Sequence, residues 1–283
     1  MAPPAEAGPP AGSRWGRPAL TLELDVSEVS MSSGQSQDVP TEVSHKRVRA
    51  YLRGGLVADT RRPVLVWEHQ HYPTYYLPAE DVLARLEPTG ATRRSGRLGD
   101  GTVYDVRAGE AVAEAAAIGY PESPVPELRG LVRIAWEAMD HWFEEDEPVY
   151  VHPRDPHKRV DVLASSRHVV VRIGDVVVAD SHRPHILFET GLPPRYYLPI
   201  TDVRIDLLRP SDHRTQCPYK GTASYWDVVI GDTEHAGIVW SYPVPLPESQ
   251  KIAGLACFYD ERVDITVDGE PQQRPRTPFS PAS

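Results

Sequence analysis

The chain has 283 residues, with 40 acidic against 30 basic side chains and a formal charge of −10. That balance lacks the basic face expected of a nucleic-acid binder, and no run approaches the roughly 18 apolar residues of a membrane span. Two cysteines cannot make a disulfide framework, and the N-terminal region has no signal-peptide core, so the expectation is a cytoplasmic protein whose partner is a small-molecule ligand or substrate, with no nucleic acid and no membrane.

Residues 1–44 are rich in Pro and Ala, mildly apolar only over Ala19–Val29, and are expected to be a disordered arm. Beyond it the chain repeats itself. Val48–Val82 aligns with Val169–Val203 at a fixed offset of 121 residues without a gap, and 14 of 35 positions are identical. Asp59, Arg62, Glu68, Tyr75 and Asp81 thereby match Asp180, Arg183, Glu189, Tyr196 and Asp202. The division expected is a first repeat over 45–162, a second over 163–270 and a disordered Pro-rich tail over 271–283.

The periodicity is that of strands. Val169–Val178 is β-branched and broken at Gly174-Asp175, a hairpin signal, and His185–Glu189 is a short apolar run. Val203, Ile205 and Leu207 alternate with Arg204 and Asp206, so a strand is expected there. Tyr225–Ile230, Gly237–Trp240 and Val263–Val267 add three more. Pro247–Ala253 reads as a short helix, and in the first repeat Pro126–Trp142 reads as a longer one. The class is mainly β, with two small barrel-like or sandwich-like domains, each carrying one accessory helix.

After the shared stretch the repeats diverge. The second continues into Asp212-His-Arg-Thr-Gln-Cys-Pro-Tyr-Lys-Gly221, whereas the first offers Gly90 to Gly99 with no Cys, Lys or His. Together with Tyr-Tyr-Leu-Pro, Ala-Ser-Tyr-Trp and Trp-Ser-Tyr-Pro, this order resembles the bacterial and fungal family called Domain of Unknown Function 427. The resemblance covers nearly all of Val169–Glu270 and only the front half of the first repeat. It implies a fold like the Mss4-like β-tent group and carries a label of nucleotidyltransferase-like activity.

A cysteine becomes a nucleophile beside a cation, and His213, Arg214 and Lys220 all lie within four residues of Cys217. Lys220 is one of only four lysines among the 30 basic residues. If the segment is extended, His213, Thr215 and Cys217 share a face, and Pro218 turns the chain so that Lys220 can return over the thiol. The alternative is a small packed Cys217 beside a solvated Lys220. Candidate catalytic residues are therefore Cys217, Lys220, His213 as proton carrier and Glu189 as acid or anchor. Arg183, Arg214, Tyr196, Tyr219, Tyr225, Trp226 and Trp240 are candidate ligand contacts. Cys257, in wholly apolar company, is expected to be core, with Trp136 as its counterpart, and Glu189 is equally open to a scaffold pairing with Arg183 as Glu68 is with Arg62. An enzyme of transferase or hydrolase type is the leading reading, with a non-catalytic ligand-binding module as the rival.

No Cys-x-x-Cys unit is present, so a four-Cys zinc site is excluded; His69 with His71 is the one same-face pair, and neither a metal nor another cofactor is expected. Nor is there an Asp-x-Asp pair to hold magnesium, so the residues do not support nucleotidyl transfer.

Overall fold

The computed structural model describes residues 39–69, 71–277 and 279–280. Of the arm expected over 1–44, residues 1–38, including Ala19–Val29, lie outside them, and Thr41–Val43 is a strand paired with Val64–Val66. The chain divides into two units at Pro153/Arg154, and each is built in the same way.

In the second unit a seven-stranded antiparallel sheet runs in the order Val160–Ala164, His185–Glu189, Arg195–Leu198, Ala256–Phe258, Thr233–Ser241, Gly221–Ile230, Leu208–Cys217. A four-stranded sheet, Val176–Ser181, Val169–Ile173, Asp264–Val267 and Glu270–Pro271, covers one of its faces. The first unit repeats the plan: Thr41–Val43, Val64–Val66, Thr74–Pro78, Leu131–Ile134, Ala111–Gly119, Gly99–Ala108 and Arg85–Ser95 form the larger sheet. Glu147–Val149, His141–Glu144, Val48–Leu52 and Gly55–Thr60 form the smaller.

Strand alternation assigns the two faces of each large sheet. In the second unit Leu198, Val228, Val239 and Ala256 enter the core between the sheets, against Val169, Val171 and Ile265. The next residues along, Tyr197, Tyr225, Trp240 and Cys257, gather on the opposite, outer face with Leu187, Tyr242 and Ile252. The outer face of the first unit is more aliphatic, with Val64, Val66, Leu98, Ile118 and Leu128 around Tyr76 and Tyr120.

Asp81 and its repeat Asp202 each close a latch. Thr60 Oγ1 donates to Asp81 at 2.7 Å and Ser181 Oγ to Asp202 at 2.7 Å, while Arg62 and Arg183 clamp the same carboxylates. The hydrogen bond from Arg183 and those from Ser181 and Thr201 lower Asp202 to about 2.

Two expectations are corrected. Pro126–Trp142 is not a helix: it makes 3-10 turns at Pro126–Leu128 and Trp136–Ala138 around the strand Leu131–Ile134. Gly130, at φ +80°, breaks the helical path, and alternate burial over Leu131–Ile134 suits a strand flanked on both sides. Val203–Leu207 is likewise a pair of 3-10 turns, Ile200–Asp202 and Ile205–Leu207, which lead into the strand Leu208–Cys217. Pro247–Ile252 is 3-10 as well. In the tail, Thr277 Oγ1 donates to Glu261 at 2.5 Å and the Phe279 ring lies 6.1 Å from that of Tyr259. No helix among the described residues is long and apolar enough to cross a membrane.

Candidate functional site

The outer face of the second large sheet gathers most of the candidate side chains. Leu208–Cys217 and Gly221–Ile230 are joined by the turn Pro218-Tyr219-Lys220, closed where Cys217 pairs with Gly221. Gly221 takes φ +94°, a left-handed backbone conformation that favours glycine. The turn is tied down from outside: Arg154 Nε donates to the Pro218 carbonyl at 2.8 Å, Ser249 Oγ to the Tyr219 carbonyl at 3.1 Å, and the Leu246 amide to the Lys220 carbonyl at 3.2 Å. The Tyr219 hydroxyl accepts the Asp155 amide at 2.7 Å, and burial pushes that phenol up to about 12.

Held this way, Lys220 turns inward. Its ammonium donates to Glu189 Oε2 and lies against the Cys217 thiol, with side chains 12% and 7% exposed for Lys220 and Glu189. Burial works against the ammonium, but the Cys217 sulfur and the Glu189 carboxylate more than offset it and hold the amine above its ordinary value. Lys220 therefore stands as a charged ammonium beside the thiol rather than as a free amine. Cys217 is half-buried, whereas Cys257 is fully buried and its thiol is pushed well up by burial. Tyr197 and Tyr242, whose phenols burial also pushes well up, feel both Cys217 and Glu189 and line the same centre.

The remaining sequence candidates sit at graded distances from this centre. Tyr225 shares the face, its hydroxyl 2.8 Å from Thr215 Oγ1, and the exposed His213 stacks obliquely on its ring at 4.5 Å. Trp240 donates Nε1–H to the Tyr197 hydroxyl at 3.1 Å. Tyr196 and Trp226 pack on the other face of the sheet, against the core between the sheets. Arg214 is exposed and donates to the carbonyls of Ser211 and His213, and Arg183 is held in the Asp202 latch. The scaffold pairing weighed for Glu68 and Glu189 with Arg62 and Arg183 is absent, because those arginines serve Asp81 and Asp202.

Sequence reasoning missed a buried ion pair beside the site. Arg195 holds Glu261 through two hydrogen bonds at 2.9 and 2.6 Å, sits 3.4 Å from Asp260 and lies over the Trp240 ring at 5.7 Å. Asp260 Oδ1 has no close hydrogen-bond partner, and burial raises its carboxyl to about 6 despite Arg195. An Arg at the start of the Tyr-Tyr-Leu strand, where the first repeat has Thr74, was the available signal.

The first unit shows what the site replaces. There Ser95 pairs with Gly99 as Cys217 pairs with Gly221, so Ser95 and the buried Leu98 stand in the places of Cys217 and Lys220. Glu68 survives, but its cation is Arg133, at 3.0 Å, and Tyr76 donates its hydroxyl proton to the same carboxylate at 3.1 Å. Arg133 lies in the adjacent strand opposite Ile118, where the second unit places Cys257 opposite Trp240. The counterpart of Cys257 is therefore Arg133 and not Trp136.

Among the described residues His69 and His71 belong to no group of three metal-ligating side chains, and His69 packs edge-on to Tyr72 at 4.2 Å. No curated protein matches the chain. The profile of one family matches both units, over residues 41–145 in the first and 161–269 in the second. The chain belongs to the family described as Domain of unknown function (DUF427), of which it carries two tandem copies.

Proposed function

We propose that the second unit is a small-molecule enzyme of the transferase or hydrolase type, with Cys217 as nucleophile and Lys220 and Glu189 as a proton-handling pair, and that the first unit is a non-catalytic copy. The observation that carries this reading is the substitution pattern around one retained glutamate. In the first unit the glutamate is neutralised by an arginine and surrounded by aliphatic packing; in the second the cation is an amine delivered by a pinned turn and placed on a thiol.

The chemistry is nucleophilic displacement at an electrophilic carbon or phosphorus. The Cys217 sulfur forms a bond to that atom as the bond to the leaving group breaks. Lys220 gives a proton to the leaving group and is recharged through Glu189, which takes up the thiol proton. Water or a second substrate then attacks the covalent intermediate, returns its proton and restores the thiol. Tyr197, Tyr219 and Tyr242 remain protonated and supply hydroxyl groups for orientation.

Nucleotidyl transfer has less support: the sequence has no Asp-x-Asp pair, and the neighbouring carboxylates Asp202 and Asp206 are engaged, the first by Arg183, Ser181 and Thr201 and the second by Arg204. The test is to expose the native protein to a panel of small acyl and phosphoryl donors and weigh it intact. A covalent adduct that maps to Cys217 and is absent from Cys217→Ser and Lys220→Met supports the reading. Turnover that persists in Cys217→Ser overturns it.

A further inference from the structure

We propose that His168, Asp180 and His182 form a surface site for a divalent transition metal of the zinc class on the second unit. His168 directly precedes the strand Val169–Ile173; Asp180 lies near the end of the neighbouring strand Val176–Ser181, and His182 follows it. The pairing of Val169 with Ser181 and Val170 with Asp180 brings the three together at one end of the hairpin. His168 Nε2 is 2.7 Å from Asp180 Oδ1, the two imidazoles stack at 3.9 Å with planes 13° apart, and one ligand atom from each residue lies within 4.8 Å of the others. Among the described residues this is the one such group. A tetrahedral zinc ion with bonds of about 2.0–2.1 Å holds its ligand atoms about 3.4 Å apart, a contraction that rotation of these half-buried and exposed side chains can supply.

The first unit again provides the contrast. At the same offset it carries Arg47, Asp59 and Arg61. Arg47 binds Asp59 through Nε at 2.8 Å and Nη2 at 2.5 Å, an ordinary clamp that lowers the Asp59 carboxyl. The aspartate is retained while both flanking arginines become histidines. A clamp that only needed positive charge is served by arginine, which has no lone pair to give a metal; imidazole has one. The surrounding charges are committed elsewhere: Arg167 to Asp268, which also accepts the His168 amide, and Arg183 to Asp202. Two imidazoles and one carboxylate suit zinc, cobalt, nickel or copper rather than calcium or magnesium, and three protein ligands leave a coordination position open.

The experiment is calorimetric titration of the full chain with Zn²⁺, paired with the visible absorption of bound Co²⁺. The expected result is one saturable ion per chain, weakened at least tenfold in His182→Arg, which installs the residue of the first unit, and in His168→Gln. His69→Ala/His71→Ala should leave it unchanged. Circular dichroism identifies a variant that fails to fold, in which case the other decides. Absence of saturable binding, unchanged affinity in the folded His168 or His182 variant, or loss of the ion in the His69/His71 variant instead, would overturn the proposal.

Discussion

Cys257 occupies in the second unit the sheet position that Arg133 holds in the first, each facing the second tyrosine of its Tyr-Tyr-Leu strand. The first unit's glutamate pairs with that strand arginine, whereas Glu189 pairs with Lys220, carried by the turn at the other end of the strand order. The exchange moves positive charge from a strand interior to a turn, beside a thiol.

Lys220 and Glu189 should therefore be coupled in stability. Lys220→Met leaves a buried carboxylate alone, at a cost of about 3 kcal/mol to the second unit, and Glu189→Gln leaves a buried ammonium alone at a similar cost. The double variant should lose less than the sum, by more than about 1 kcal/mol, in a double-mutant cycle read by urea denaturation. Additive losses would mean that the two side chains do not act as a pair.

Asp260 gives the second unit an unusual pH dependence. Its folded carboxyl, raised by burial to about 6 from an ordinary 3.8, stabilises the fold when protonated. That contribution is full below about pH 4 and is lost as the pH rises through about 6, a change of about 3 kcal/mol. Asp260→Asn, which cannot ionise, should flatten the stability profile between pH 4 and 7 and raise the melting temperature at pH 7.5. An unchanged slope in the variant would show that Asp260 does not titrate in this window.

The Asp202 latch works in the opposite sense. Hydrogen bonds from Arg183, Ser181 and Thr201 hold its carboxyl at about 2, so its stabilisation is present above about pH 4 and is lost as the pH falls toward 2. Ser181→Ala should cost about 1 kcal/mol at pH 7 and shift the acid unfolding limb to higher pH. Thr60→Val in the first unit should behave similarly, since Asp81 is lowered chiefly by its bond to Thr60.

The repeat was legible because the two units share core residues such as Val57 and Val178 or Leu77 and Leu198, together with the latch residues Asp81 and Asp202, at one offset. The hairpin at Gly174-Asp175 and the strand at His185–Glu189 followed from β-branched runs bounded by turn residues. Leu208–Cys217 was harder to read, because an edge strand carrying Asp212, His213, Arg214 and Gln216 into solvent has little apolar alternation. Pro126–Trp142 misled through its leading proline and spaced apolar residues, while Gly130 decided the outcome. The proximity of Cys217, Lys220 and Glu189 was legible in part, since Pro218 signals a turn. The cation exchange was not, because Arg133 lies 65 residues from Glu68 and only sheet pairing brings them together.

The most direct measurement is the alkylation of the native protein by iodoacetamide at neutral pH, followed by mass spectrometry with the fully buried Cys257 as internal control. Cys217 should be modified at least tenfold faster than Cys257, and Lys220→Met, in folded protein, should slow Cys217 several-fold. A Cys217 that is as inert as Cys257, or that reacts at the same rate with and without Lys220, would contradict a reactive centre in the second unit.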